Sequence, residues 1–220
     1  MRNSGKDYGR FEPVLRRIDL PGGAIDVWRP PDMEALIDLA EFDRDERIPY
    51  WADVWESAIV LAEDLALLDG RGLALLELGC GLGLPSLVAA RQGFRVVASD
   101  YELPALEGVA YNAAKNRLPS LEVRVVDWRD PPADLGRFDR VLAADVLYER
   151  HHPAALAEVI DRTLSRGGVA LVADPGRAAA AHFQEACERI GLAVSRMPAR
   201  RPHDATDGPS IEVFEVRRPA

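Results

Sequence analysis

From about residue 73 onward, apolar and polar positions fall into regular alternating blocks. Leu73 to Leu78 is a continuous apolar run, the mark of a strand covered on both faces, and it breaks at Gly79-Cys80-Gly81-Leu82-Gly83. A helix is predicted from there to about Gln92. Arg95 to Ser99 reads as a second strand stopping at Asp100, followed by a helix that tolerates Pro104 in its first turn and runs to about Asn116. Leu121 to Val126 predicts a third strand, stopping at Asp127, and Arg140 to Ala144 a fourth, stopping at Asp145. A helix over 153–164 precedes a fifth strand, Gly168 to Ala173, which stops at Asp174; a helix over 177–190 closes at Gly191. Leu192 to Met197 and Ile211 to Val216 read as strands joined by the polar loop 200–209, with no helix between them, so that pair is expected to be antiparallel. Repeated strand–helix alternation predicts a doubly wound, mostly parallel α/β sheet, seven strands with the last pair counted.

Ahead of this block the pattern is shorter. Pro13 to Ile18 and Ala24 to Trp28 read as two strands around Pro21-Gly22-Gly23. Met33, Leu36, Ile37 and Ala40 have helical spacing over 33–42, inside an acid run from Asp32 to Glu46 that suits a solvated face. Residues 54–68 predict another helix, with apolar positions Ile59, Val60, Ala62, Leu65 and Leu68. The expected division is an N-terminal extension, 1–48, as a possible substrate-side cover, and a main domain over 49–220.

Composition narrows the function. The chain has 220 residues, of which 48% are hydrophobic and 29% charged, which excludes global disorder. Twenty-seven basic against 36 acidic residues leave a net charge of −9, which argues against nucleic-acid or anionic-membrane binding, since both need a positive field. Two cysteines, Cys80 and Cys187, make no disulfide scaffold and no metal-like spacing. No metal is expected. The polar start Met1 to Lys6 leads into no apolar run and no stretch reaches membrane-span length, so a cytoplasmic monomer is expected.

Candidate chemistry lies at the strand ends, where open parallel sheets bind ligands. Asp100, Asp127, Asp145 and Asp174 end four consecutive strands, and Glu77 precedes the glycine loop. A single Asp at a strand end is also a common helix N-cap; four on one rim point to function. A dinucleotide fingerprint would need Gly at 84, where Leu84 stands. Glu77 would repel a phosphate and suit a ligand ammonium group, while Asp100 is spaced to accept from ribose hydroxyls. A ligand with a ribose and an amino group but no phosphate is S-adenosylmethionine. Gly79, Gly81 and Gly83 would let the backbone approach it closely. Asp127 is placed to accept from the adenine amino group, with Trp128 or Tyr101 against the ring. A sulfonium is attracted to an aromatic face, which gives Trp55 a place over the methionine end.

The run from Pro49 to Tyr148 resembles the class I, seven-strand, Rossmann-like S-adenosylmethionine-dependent methyltransferases, and within them the family-16 protein-lysine methyltransferases. The match is carried by Pro49-Tyr50-Trp51-Ala52-Asp53-Val54-Trp55, by Glu77 to Gly83, and by Asp145-Val146-Leu147-Tyr148, which has the family's Asp-x-x-Tyr form. Asp174-Pro175-Gly176-Arg177 further resembles the branch acting on the β-subunit of electron-transfer flavoprotein. The resemblance implies methylation of a protein lysine, with Asp145 orienting the incoming amine and Tyr148 shaping its channel. Arg177 reads either as a contact for substrate carboxylate or backbone, or as a plain surface residue, and His151-His152 as an exposed pair without a role. The competing readings are a small-molecule amine or pyridine N-methyltransferase and a non-catalytic S-adenosylmethionine-binding protein.

Overall fold

The computed structural model describes residues 11–36, 48–119 and 121–219. Its centre is a seven-stranded sheet. We number the strands β3 (Ala74–Leu78), β4 (Arg95–Asp100), β5 (Glu122–Val125), β6 (Phe138–Ala144), β7 (Leu164–Asp174), β8 (Ala193–Arg200) and β9 (Ile211–Arg217), after the hairpin strands β1 (Val14–Ile18) and β2 (Ile25–Arg29). The spatial order is β5-β4-β3-β6-β7-β9-β8. Strands β3 to β7 are parallel, β9 is antiparallel to β7, and β8 is antiparallel to β9. The chain moves outward from β3 to β5 and then returns to β6 on the other side of β3. That reversal opens a crevice at the carboxyl ends of β3 and β6.

Among the described residues, five helices cover the sheet: α1 (Glu56–Leu65), α2 (Leu84–Arg91), α3 (Leu103–Lys115), α4 (His152–Thr163) and α5 (Phe183–Arg189). Strand β3 is buried throughout, and its side chains serve two cores in turn. Leu75 packs on the α1–α2 side with Leu65 and Leu87; Ala74, Leu76 and Leu78 pack on the α4–α5 side with Leu156 and Phe183. This two-residue period sends Glu77 to the same face as Leu75, toward α2.

The hairpin joins the α1–α2 core through Ile18, Ile25 and Val27. Asn112 on α3 and Asn116, one turn on at its C-cap, pair with the free backbone edge of β2. The Asn112 amide accepts from Trp28 N at 2.8 Å and donates to Trp28 O at 3.2 Å; Asn116 does the same for Asp26 at 3.1 and 2.6 Å. Edge groups that water or another strand would otherwise satisfy are thus closed off.

Three sequence expectations change. Between 177 and 190 the helix divides into a 3-10 turn, Ala178–His182, and α5. Ala180 in the turn and Phe183 and Ala186 in α5 are all buried against the sheet. Strand β7 begins at Leu164, earlier than Gly168, with a register shift opposite Phe138 and Arg140. Strand β8 runs to Arg200 through Pro198, which an edge strand tolerates. Of the helix expected over 33–42, Glu34–Leu36 is a 3-10 turn, and residues 37–47, with most of the acid run, lie outside the described residues. No helix among the described residues is long and apolar enough to cross a membrane.

Candidate active site

At the switch point lies a cavity of about 310 Å³, within the size range of small-molecule sites. Trp55, Glu77, Gly79, Gly81, Gly83, Asp100, Tyr101, Asp127, Trp128, Asp145 and Tyr148 all line it. No described residue before Ile48 does, so the hairpin packs against the core away from the cavity.

The floor is the glycine loop between β3 and α2. Gly79 and Gly81 have φ of +67° and +51°, which disfavours any residue with a Cβ. A Cβ on Gly79 would stand 2.8 Å from Val146 Cγ1, and one on Gly81 3.3 Å from the Trp51 carbonyl oxygen. The loop is therefore held close to both walls of the cavity. Glu77 is 1% exposed, and Glu77 Oε2 accepts from Ser86 N at 2.9 Å and from the Ser86 hydroxyl. Sequence reasoning assigned Glu77 to a ligand ammonium; in the structure it also braces β3 against the first turn of α2, where an anion is favoured. Burial pushes its carboxyl up to about 8.

Asp100 closes β4. Its two oxygens accept from Gly81 N at 2.9 Å and Glu102 N at 3.0 Å, and burial pushes it up to about 6. Asp127 is more exposed. Arg129 holds both of its oxygens, Nε on Oδ1 at 2.9 Å and Nη2 on Oδ2 at 2.6 Å, so the acceptor expected for an adenine amino group is already engaged by a neighbouring cation.

The opposite wall centres on Asp145, at the end of β6. Its φ is +59°, a left-handed conformation that costs an ordinary residue about 1–2 kcal/mol and that Asp tolerates better than most. Its side chain is 3% exposed. Asp145 Oδ1 accepts from Arg177 Nε at 2.6 Å and also contacts Arg177 Nη2, while Asp145 Oδ2 accepts from the buried Ser57 hydroxyl at 3.2 Å. Arg177 is positioned in turn by Asp174, whose Oδ1 accepts from Gly176 N and Arg177 N, each at 2.7 Å. The Arg177 guanidinium lies 5.9 Å from the centre of the Tyr148 ring. The substrate-facing or plain-surface readings of Arg177 therefore give way to a partner of Asp145. Ser57 was not singled out by sequence, and a serine in an apolar helix gives no signal of its role.

Aromatic rings run around the mouth. Trp55, Tyr50, Tyr148, His152 and Trp128 follow one another at centroid distances of 6.0, 5.2, 4.7 and 5.5 Å. Trp55 Nε1 donates to Tyr50 O at 2.9 Å, which fixes its indole. Burial raises the Tyr148 hydroxyl pKa above the usual tyrosine range, so the phenol stays neutral. His151 is exposed as expected, but His152 is not. Its side chain is 12% exposed, and His152 Nδ1 donates to Val146 O at 2.6 Å.

Among the described residues, the cavity thus combines an aromatic collar with acids on several sides, Asp53, Glu77, Asp100, Glu102, Asp127, Asp145 and Glu149, against one lining arginine, Arg129. It favours a cation with a flat aromatic group and disfavours a polyphosphate.

Comparison with known proteins agrees with this chemistry. Residues 43–188 match the model of a family described as lysine methyltransferase. The chain is 33% identical over 136 residues to protein N-lysine methyltransferase METTL21A of Danio rerio, covering 58% of this chain and 62% of that protein. It is 39% identical over 105 residues to histone-arginine methyltransferase METTL23 of Homo sapiens, covering 44% and 54%. The chain spans about half the length of the curated relatives it matches. Among solved structures it superposes on the Thermus thermophilus 16S rRNA N2 G1207 methyltransferase with a TM-score of 0.65 at 16% identity, over 94% of this chain and 51% of that one, a likeness of fold.

Proposed function

The chain belongs to the lysine methyltransferase family, and on that premise we propose that it transfers a methyl group from S-adenosylmethionine to a lysine side chain of a protein. The observation that carries this reading is the facing of two unlike rims across one cavity: a glycine loop with buried acids that suits a phosphate-free, cationic nucleoside, and a collar around Asp145 that suits an amine. Asp100 would hold the ribose, Gly79 and Gly81 would pass close to the ligand backbone, and Trp55 would face the methionine end. S-adenosylmethionine, when bound, supplies an electrophilic methyl group on sulfur.

The chain's own residues then prepare the nucleophile. A lysine ammonium has a solution pKa of about 10.4 and no lone pair, so it must lose a proton before it reacts. Asp145, fixed from two sides by Arg177 and Ser57, orients the amine. The partly desolvated collar favours the neutral amine over the ammonium, and Arg177, by pairing with Asp145, limits how strongly that carboxylate holds the proton on the amine. Tyr148, packed between Tyr50 and His152, narrows the approach to one direction. Most of the catalysis is then positioning.

For the substrate we favour the β-subunit of electron-transfer flavoprotein, on the Asp145-x-x-Tyr148 and Asp174-Pro175-Gly176-Arg177 elements and on the −9 net charge, which suits a basic target surface. A protein arginine is the second reading. It is favoured by the likeness to METTL23 and by the guanidinium of Arg177, which already rests on Asp145 beside Tyr148. The test is incubation with labelled S-adenosylmethionine and host lysate, then mass spectrometry of the labelled band and of the purified flavoprotein subunit. Methyl-lysine is expected. Methyl-arginine would select the second reading, and methylation only of a small molecule in a protein-free extract would overturn both.

A further inference from the structure

We propose that Glu149, His151 and His152 form a binding site for a divalent transition metal of the zinc type at the mouth of the cavity. Each offers one donor atom, and these atoms all lie within 4.8 Å of one another. Glu149 Oε2 is 3.3 Å from His151 Nδ1, and Glu149 Oε1 is 3.9 Å from His152 Nε2. Zinc binds imidazole nitrogen and carboxylate oxygen at about 2.0–2.2 Å, which puts the edge of its tetrahedron at about 3.4 Å. The donors therefore stand up to about an ångström wider than one ion requires, and the exposed Glu149 and His151 side chains can rotate to close that gap around His152.

His152 supplies the independent observation. A carbonyl oxygen only accepts, so the contact to Val146 O at 2.6 Å places the ring proton on Nδ1 and the lone pair on Nε2, the atom nearer Glu149. Metal-binding histidines are commonly held in this way by a backbone carbonyl on their other nitrogen. The ring is further fixed between Tyr148 and Trp128, so one ligand is rigid before any ion arrives. All three ligands lie within four residues at the start of α4, so little chain entropy opposes assembly. The dipole of α4 opposes a cation at this end, which makes every ligand necessary. Two imidazoles and one carboxylate leave further positions open, the pattern of an exchangeable site rather than a closed structural one.

Calorimetric titration of the metal-free chain with Zn²⁺ tests the site without reference to the methyl acceptor. One ion per chain is expected. His151→Ala and Glu149→Gln should each weaken binding by about tenfold or more, since losing a ligand costs at least as much as losing a supporting partner. His203→Ala, at an exposed histidine beside Asp204, should leave it unchanged. Co²⁺ should also quench Trp128 emission, whose ring is 5.5 Å from His152, and His151→Ala should move that quenching to about tenfold or more higher Co²⁺. No saturable binding, binding indifferent to both ligand variants, or binding lost with His203→Ala would each overturn the proposal.

Discussion

The β3–β4 rim and the β6–β7 rim both end in buried acids, yet they hold them by different means. On the first, Asp100 is bound by the backbone N–H groups of Gly81 and Glu102, and Glu77 by the N–H and hydroxyl of Ser86. Three of these four donors are main-chain N–H groups, so the geometry there belongs mainly to the backbone. On the second, Asp174 at the end of β7 is likewise held by backbone N–H groups, but Asp145, the acid that lines the cavity, is bound by two side chains, Arg177 and Ser57, from segments 32 and 88 residues away, and its own backbone is left-handed. A rim built of backbone keeps its shape when one side chain changes. A rim built of side chains loses a partner with each substitution, and it is the one suited to a charge that must meet a varying substrate.

The comparison is tested hardest at Asp145. The strained φ of +59° makes Asn the informative replacement, because Asn tolerates this region and Ala does not. Asp145→Asn should lower methyl transfer by about 10²–10⁴-fold, the range for a group acting directly on a transferring proton or amine. S-adenosylmethionine affinity should stay within a few-fold, read by calorimetry. Normal turnover, or simple loss of the cofactor, would break the division of labour between the rims.

That division also explains what could be read in advance. The glycine loop, the strand-end acids and the alternation of strands and helices are local patterns, and backbone geometry follows from local pattern. Each residue named for the cofactor or the incoming amine lines the cavity, whereas Asp174, the last of the strand-end acids, does not and instead holds the backbone of Gly176 and Arg177. The hold of Arg177 on Asp145, the hydroxyl of Ser57 and the burial of His152 depend on tertiary approach, and no spacing along the chain encodes them. The 3-10 turn at 178–182 is likewise unmarked, since its alanine-rich pattern reads as α-helix.

The second test uses the backbone rim's buried carboxyls. Glu77 is raised from 4.5 to about 8 and Asp100 from 3.8 to about 6, in each case mainly by burial. Folded chains then keep protons that unfolded chains have released. The folded state binds more protons between about pH 4 and pH 8, so stability should be greatest at the acid end of that window and fall as pH rises through it, by on the order of a few kcal/mol. Thermal unfolding of the ligand-free protein across this range reads the slope. Glu77→Gln should flatten it, most of all above pH 6, where Asp100 has already ionised; an unchanged slope would mean that Glu77 ionises in the folded state as freely as in water.

Arg177→Gln comes next. Removing one partner of a buried pair costs about 3–5 kcal/mol, but the Arg177 side chain is 32% exposed, so water recovers part of the loss and about 1.5–3 kcal/mol is expected. Arg177→Lys restores the charge without the guanidinium's geometry, and should recover stability more fully than turnover. Equal recovery of both would mean that Arg177 acts only as a charge.

The smallest effect is expected at Ser57. Its hydroxyl is buried and donates to Asp145 Oδ2 at 3.2 Å, a longer contact than those made by Arg177. Ser57→Ala removes one hydrogen bond to a charged acceptor and leaves nothing too large for the space, so about 1–2 kcal/mol of stability should be lost. If the second rim is held by side chains acting together, the loss should not add to that of Arg177→Gln: once Arg177 is gone, Asp145 is already free to turn, and the second substitution removes a bond that is no longer well made. A double-mutant cycle measures this directly, with a coupling of about 0.5 kcal/mol or more expected for groups sharing one carboxylate. Strict additivity would show that each partner holds its own oxygen independently, and Asp145 would then be fixed one bond at a time, as Asp100 is on the opposite rim.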